Sequence, residues 1–148
     1  MFEHAAMKLR MKTKKIILVV DDKRDIRSFI RAILENSINE YSLEIITMPS
    51  SDVALQEIDS RNGNIDFIST NIRRSGINGY TFAEHVKAKY PHIKILVCSA
   101  HAQLSDLERM FEENMIDGFI RKPFRVNEYK NKVRNIFNMQ NLVRLNIP

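Results

Sequence analysis

One cysteine, four glycines and four prolines in 148 residues exclude several kinds of protein. The lone Cys98 cannot close an internal disulfide, so no oxidised framework braces the chain. No stretch is apolar for long enough to cross a bilayer. The opening MFEHAAMKLRMKTKK lacks the apolar block of a signal peptide. A cytoplasmic location without membrane contact is the expectation. Glycine is too scarce for a phosphate-cradling loop: no GxGxxG follows the first apolar run, and neither a P-loop pattern nor GxSxG occurs. His4, His85, His92 and His101 are scattered and form no metal-ligand spacing. Repeats and low-complexity segments are absent too. An α/β enzyme of the common nucleotide-binding or hydrolase kinds is therefore disfavoured.

What is present describes one folded unit. Hydrophobic residues make up 44% and charged residues 28%, a globular rather than a disordered balance. The length suffices for one domain with a real core. The formal charge of +5 sits mostly in residues 1–15, where Lys8, Arg10, Lys12, Lys14 and Lys15 face only Glu3. That leader is net +4 and the remainder net +1. A basic leader of this kind gives at most weak, salt-sensitive affinity for nucleic acid, so a solvated terminus is the simpler reading.

Short apolar runs alternate with helical patterns along the chain. Residues 16–21, IILVVD, are apolar on both faces and suit a central parallel strand. Ile26, Phe29, Ile30, Ile33 and Leu34 then fall at helical spacing over 25–34. A second strand over 43–48 ends at Pro49-Ser50-Ser51-Asp52, which breaks it and caps the next helix. A turn at Gly63-Asn64 leads to a third strand, 65–70, ending in Asn71. Residues 80–90 read as a helix stopped by Pro91. A fourth strand spans 93–98, and Leu104, Leu107, Met110 and Phe111 make the next helical stripe. A fifth strand, 117–120, leads to Lys122-Pro123, and a last helix covers 127–137. The expected division is a leader over 1–14, a domain over 15–137 and a tail over 138–148. Five strands with intervening helices specify an α/β parallel sheet with helices on both faces. Periodicity does not give the strand order.

The first strand ends in two adjacent carboxylates, Asp21 and Asp22. Strand ends are where open α/β sheets keep their chemistry. Paired carboxylates repel unless a cation joins them, and Lys122 is the candidate. Read alone, Asp21-Asp22 also suits helix capping, Ser99 a cap, and Phe119 a core position. Cys98, between Val97 and Ser99, reads as a buried small hydrophobe. Ser69 and Thr70 read as packed hydroxyls on opposite sides of their strand.

Five points in order, Asp21-Asp22, Asn71, Ser99-Ala100, Phe119 and Lys122-Pro123, together resemble the receiver domain of two-component response regulators. The resemblance covers roughly 15–137. It implies a doubly wound, five-stranded, flavodoxin-like fold with strand order 2-1-3-4-5. It also implies phosphoryl transfer from a histidine kinase to an aspartate with a divalent metal. Carried over, Asp21 and Asp22 match the acidic pair that holds Mg²⁺. Lys122 and Ser99 match the phosphoryl contacts, and Phe119 matches the aromatic switch residue. The peptide before Pro123 would be cis.

The stretch from Asp66 to Gly79 departs from that pattern. Asn71 occupies the acceptor position, Arg74-Ser75 replaces Met-Pro, and Asn78 replaces a second aspartate, while Gly79 is kept. An acyl phosphate needs a carboxylate nucleophile, and an amide is not one. Losing that carboxylate also weakens an oxygen site for Mg²⁺, so the expectation is no cofactor or a weakly bound Mg²⁺. Arg73, Arg74 or Lys122 is expected to pair with Asp21-Asp22 in place of a metal. The reading is a stand-alone atypical receiver without enzymatic activity, working by protein contact. The alternative is a phosphorelay receiver with an unusual or modified acceptor. Its partner would be a histidine kinase, another regulator or an output protein, and a homodimer stays open. The family's contact face maps here to Leu104, Leu107, Arg109, Phe119, Arg121, Arg125 and Lys130.

Overall fold

The structure, a computed structural model, describes residues 12–72 and 79–145. The apolar runs form five strands: β1 (Lys14–Val20), β2 (Ser42–Met48), β3 (Phe67–Thr70), β4 (Lys94–Ser99) and β5 (Gly118–Arg121). Between and after them lie α1 (Arg24–Ser37), α2 (Ser51–Ser60), α3 (Gly79–Lys89), α4 (Leu104–Glu112) and α5 (Val126–Leu145). All four strand pairings are parallel, and the order is β2-β1-β3-β4-β5. The implied doubly wound fold is the one present.

β1 is an interior strand, apolar on both faces, and each face supplies a separate half of the core. Ile16, Leu18 and Val20 pack with Ala54 and Ile58 of α2, Phe82 and Val86 of α3, and Leu107 and Met110 of α4. Ile17 and Val19 pack with Ile30, Ile33 and Leu34 of α1, and with Tyr129, Val133, Ile136 and Phe137 of α5. The period of two along a strand thus sorts its side chains between two helical layers.

Local chemistry sets the joints. Ser50 caps α2 by accepting the Val53 N–H at 3.4 Å. The turn after α2 uses Asn62 and Gly63, both at positive φ. α5 runs on to Leu145, into the stretch expected to be a tail. Residues 126–145 contain neither glycine nor proline, so nothing in the sequence stops the helix at Phe137.

Candidate functional site

The first and third strands end side by side at one edge of the sheet. Val20 is in register with Thr70, and the Asn71 N–H donates to the Val20 carbonyl at 3.2 Å. Asp21 and Asn71 therefore leave adjacent strands at the same level. The Asp21 N–H bonds to Met48 O at 3.1 Å, and the Lys122 N–H to Ser99 O at 2.9 Å. All five strand ends are tied into one mouth by their own backbone.

Asp21 is the buried charge at that mouth, with its side chain 2% exposed. Lys122 Nζ lies 2.6 Å from Asp21 Oδ2. The other oxygen, Oδ1, accepts the Lys23 N–H at 2.9 Å, which shapes the turn into α1. The Asp21 carbonyl accepts from Arg27 Nη1 at 2.8 Å. Of the cations expected beside the acidic pair, Lys122 is in place on Asp21. Arg73 and Arg74 lie outside the described residues. Asp22 is exposed at the start of the turn.

The remaining site residues have distinct roles. Ser99 is buried, and its Oγ accepts the Ala102 N–H at 3.0 Å and the His101 N–H at 3.3 Å. It therefore holds the turn after β4, while α4 itself begins beyond Gln103. The peptide Lys122-Pro123 is cis. Gly79 re-enters against Ile72: a Cβ there would lie 2.6 Å from Ile72 Cγ1 and 2.8 Å from its Cα. Ser69 and Thr70 are both buried, and Ser69 Oγ meets Cys98 Sγ at 3.6 Å. Burial pushes the Cys98 thiol up to about 12, so it stays protonated at neutral pH.

Do these groups suit a divalent cation? Both Asp21 oxygens already accept protein donors, and position 71 supplies a neutral amide. Among the described residues no cluster of three acidic, histidine or cysteine side chains gathers to hold a metal. Mg²⁺ needs a nearly complete oxygen octahedron, and here it would have to compete with the donors already on Asp21.

A second feature lies at the outer edge of the sheet, between α4, β5 and α5. A groove of about 340 Å³ is lined by Phe111, Gly118, Phe119 and Ile136, with Glu108, Glu112 and Lys132 among its charged residues. Phe111 meets Phe119 edge-on at 6.5 Å, and Lys132 Nζ stands 5.8 Å from the centre of the Phe119 ring. Leu104 and Phe111 are 45% and 44% exposed. Arg109, Arg121 and Arg125 are exposed around them, and Lys130 is half-buried. Leu107, expected on this face, is instead fully buried. It lies with Met110 on the inward stripe of α4, whereas Leu104 and Phe111, two turns apart, share the outer one.

Residues 17–134 match the family described as response regulator receiver domain. The chain belongs to that family. Curated relatives include the heme response regulator HssR of Staphylococcus epidermidis, 29% identical over 119 residues, covering 80% of this chain and 50% of that protein. The nitrogen assimilation regulatory protein NtrX of Azorhizobium caulinodans is 31% identical over 108 residues, 73% of this chain and 23% of the relative. This receiver chain thus matches half or less of the length of these relatives. Among solved structures, a receiver domain protein from Clostridium thermocellum superposes with a TM-score of 0.75 at 23% identity, covering 87% of this chain and 98% of the other. The receiver domain of NtrX from Brucella abortus gives 0.71 at 24%, with 82% and 98% covered. These likenesses agree with the fold and with signalling as the general role. Among the described residues no helix is long and apolar enough to cross a membrane.

Some residues at this receiver's site were not legible in the sequence. Arg27 buttresses the Asp21 backbone from the first turns of α1; its place one turn beyond the acidic pair was the available signal. Nothing in the sequence marks the depth at which the Tyr129 hydroxyl is buried.

Proposed function

We infer that this receiver signals through protein contact, with position 71 unable to carry a phosphoryl group as the amide it is. The observation that carries the reading is Asn71 at the end of β3, level with an Asp21 already neutralised by Lys122. A neutral amide offers no carboxylate oxygen for an acyl phosphate. Lys122 in turn is held by Asp21 with no incoming phosphoryl oxygen required. Mg²⁺ would have to displace the ammonium from Asp21 and so would bind weakly. The groove between α4, β5 and α5, with Leu104 and Phe111 exposed, supplies the apolar ground for a protein partner such as a histidine kinase, another regulator or an output protein.

A second reading is a receiver of a phosphorelay that uses an unusual or modified acceptor. The relatives weigh toward it, because several of those matched are named as response or transcriptional regulators. Asp21, Ser99 and Lys122 also stand together at the mouth. Conversion of Asn71 to a carboxylate would supply the missing oxygen, although the branched Ile72 after it is a poor context for deamidation.

One experiment separates the two. The protein is incubated with a small phosphodonor and Mg²⁺, and hydroxylamine-sensitive adducts are sought by intact mass. The contact reading expects none on the native chain and one on Asn71→Asp. An adduct on the native chain would reject it in favour of the relay.

A further inference from the structure

The groove between α4, β5 and α5 is walled by charge opposite to that expected on this face. The basic residues Arg109, Arg121, Arg125 and Lys130 do not line it. Its charged residues are Glu108 and Glu112 of α4, Asp117 just before β5, and Lys132 of α5. Asp117 is already committed to Lys87 at 2.7 Å and Lys94 at 3.7 Å. Lys132 Nζ stands over the Phe119 ring. Glu108 and Glu112 are exposed, and among the described residues neither is paired with a cation. Their own helix gains nothing from them. Like charges four residues apart on a helix repel. A carboxylate in the last turn also opposes the helix dipole, which favours a cation there. Glu112 is the last residue of α4, and Glu108 lies one turn before it. Helix stability therefore does not account for this pair, and a cation arriving from outside would relieve both costs.

Beside these carboxylates the groove is apolar. Phe111 and Phe119 meet edge-on, and Ile136 closes the other side. Gly118 keeps the floor open: a Cβ there would stand 3.2 Å from Ile136 Cδ1. A volume of about 340 Å³ is at the low end for pockets that hold small ligands, and it admits a bulky side chain.

We propose that this groove binds a segment of a partner protein that inserts one bulky apolar side chain and brackets it with lysine or arginine. The proposal rests on the reading that this receiver works by protein contact, and it adds the chemistry of the partner. The apolar side chain enters over Gly118, between Phe119 and Ile136, and the cations meet Glu108 and Glu112 on the α4 wall. Exposed ion pairs are worth little each. The anchor thus supplies the affinity, while the carboxylates choose the partner and speed its approach. A segment with glutamates about its anchor is turned away by the same two side chains.

The test uses the full chain, followed by backbone amide spectra, and two short synthetic peptides. Both carry one tryptophan in an alanine-rich helix; one flanks it with lysines and the other with glutamates. The lysine peptide is expected to shift the Gly118, Phe119 and Ile136 amides saturably, and to bind less tightly as salt is added. Glu108→Lys with Glu112→Lys should weaken it about ten- to thirtyfold and turn the preference to the glutamate peptide. Phe111→Ala should weaken the lysine peptide while the preference for it over glutamate stays. Equal binding of the two peptides, or no shift at the groove with the lysine peptide, would overturn the proposal. An occupant already in place would overturn it too. Groove amides that move on dilution would mark a second copy of this chain, and groove amides that move on deleting residues 1–11 would mark its own basic leader. Preference of the native groove for the glutamate peptide would overturn the partner's chemistry and leave the contact reading standing. That reading fails separately, through a phosphoryl adduct on the native chain, which involves none of these side chains.

Discussion

Two lysine–aspartate pairs stand at opposite ends of the same sheet, and they differ in what surrounds them. At the mouth, Lys122 meets Asp21 at 2.6 Å, with side chains 14% and 2% exposed. At the far end, Lys87 meets Asp117 at 2.7 Å, with 14% and 21% exposed. Asp117 is saturated: it also accepts the Ile95 N–H at 2.8 Å and has Lys94 at 3.7 Å. Lys87 in turn donates to Ile93 O at 2.7 Å. That end is a staple between α3, β4 and β5. The mouth holds a deeper carboxylate with one lysine, next to an amide and beside a second carboxylate. Redundancy marks the far end, whereas among the described residues a single ammonium meets Asp21 at the mouth.

Lys122→Met gives the largest expected contrast. It strands Asp21 as an uncompensated buried charge, and about 3–5 kcal/mol of stability should be lost at neutral pH by urea unfolding. Adding Asp21→Asn should recover much of the loss; failure to recover would mean that Lys122 works mainly by packing. Lys87→Met should cost less, about 1.5 kcal/mol, because Lys94 and the Ile95 N–H stay on Asp117. Equal losses at the two ends would erase the distinction. The smallest effect is alkaline. The Cys98 thiol is raised from 9.0 to about 12 in the fold, so the unfolded chain releases its proton first. The stability that this contributes is complete well below pH 9 and declines as pH rises toward 12, by roughly 1.4 kcal/mol at pH 10. Cys98→Ala should flatten the curve between pH 8 and 10, whatever it does to the absolute value.

How much of this was legible beforehand follows from range. The strands were, because apolar runs of four to seven residues between turn signals are local facts. Their order was not, since pairing β1 between β2 and β3 is a long-range event, and only the resemblance implied it. The Asp21–Lys122 pair spans 101 residues, yet it was reachable because both residues sit at strand ends. Leu107 went astray because a helical stripe tells which residues are apolar without telling which edge of it meets water. Tyr129 shows a different limit: whether a buried hydroxyl finds an acceptor depends on ångström-scale packing.

The close approach of Gly79 to Ile72 has a consequence for how such a chain can change. Shape and reactivity are separable at these positions. A methyl group at 79 would collide with the residue that follows Asn71, whatever atom position 71 presents. The constraint on position 79 thus comes from contact alone and is independent of the oxygen or nitrogen that position 71 presents.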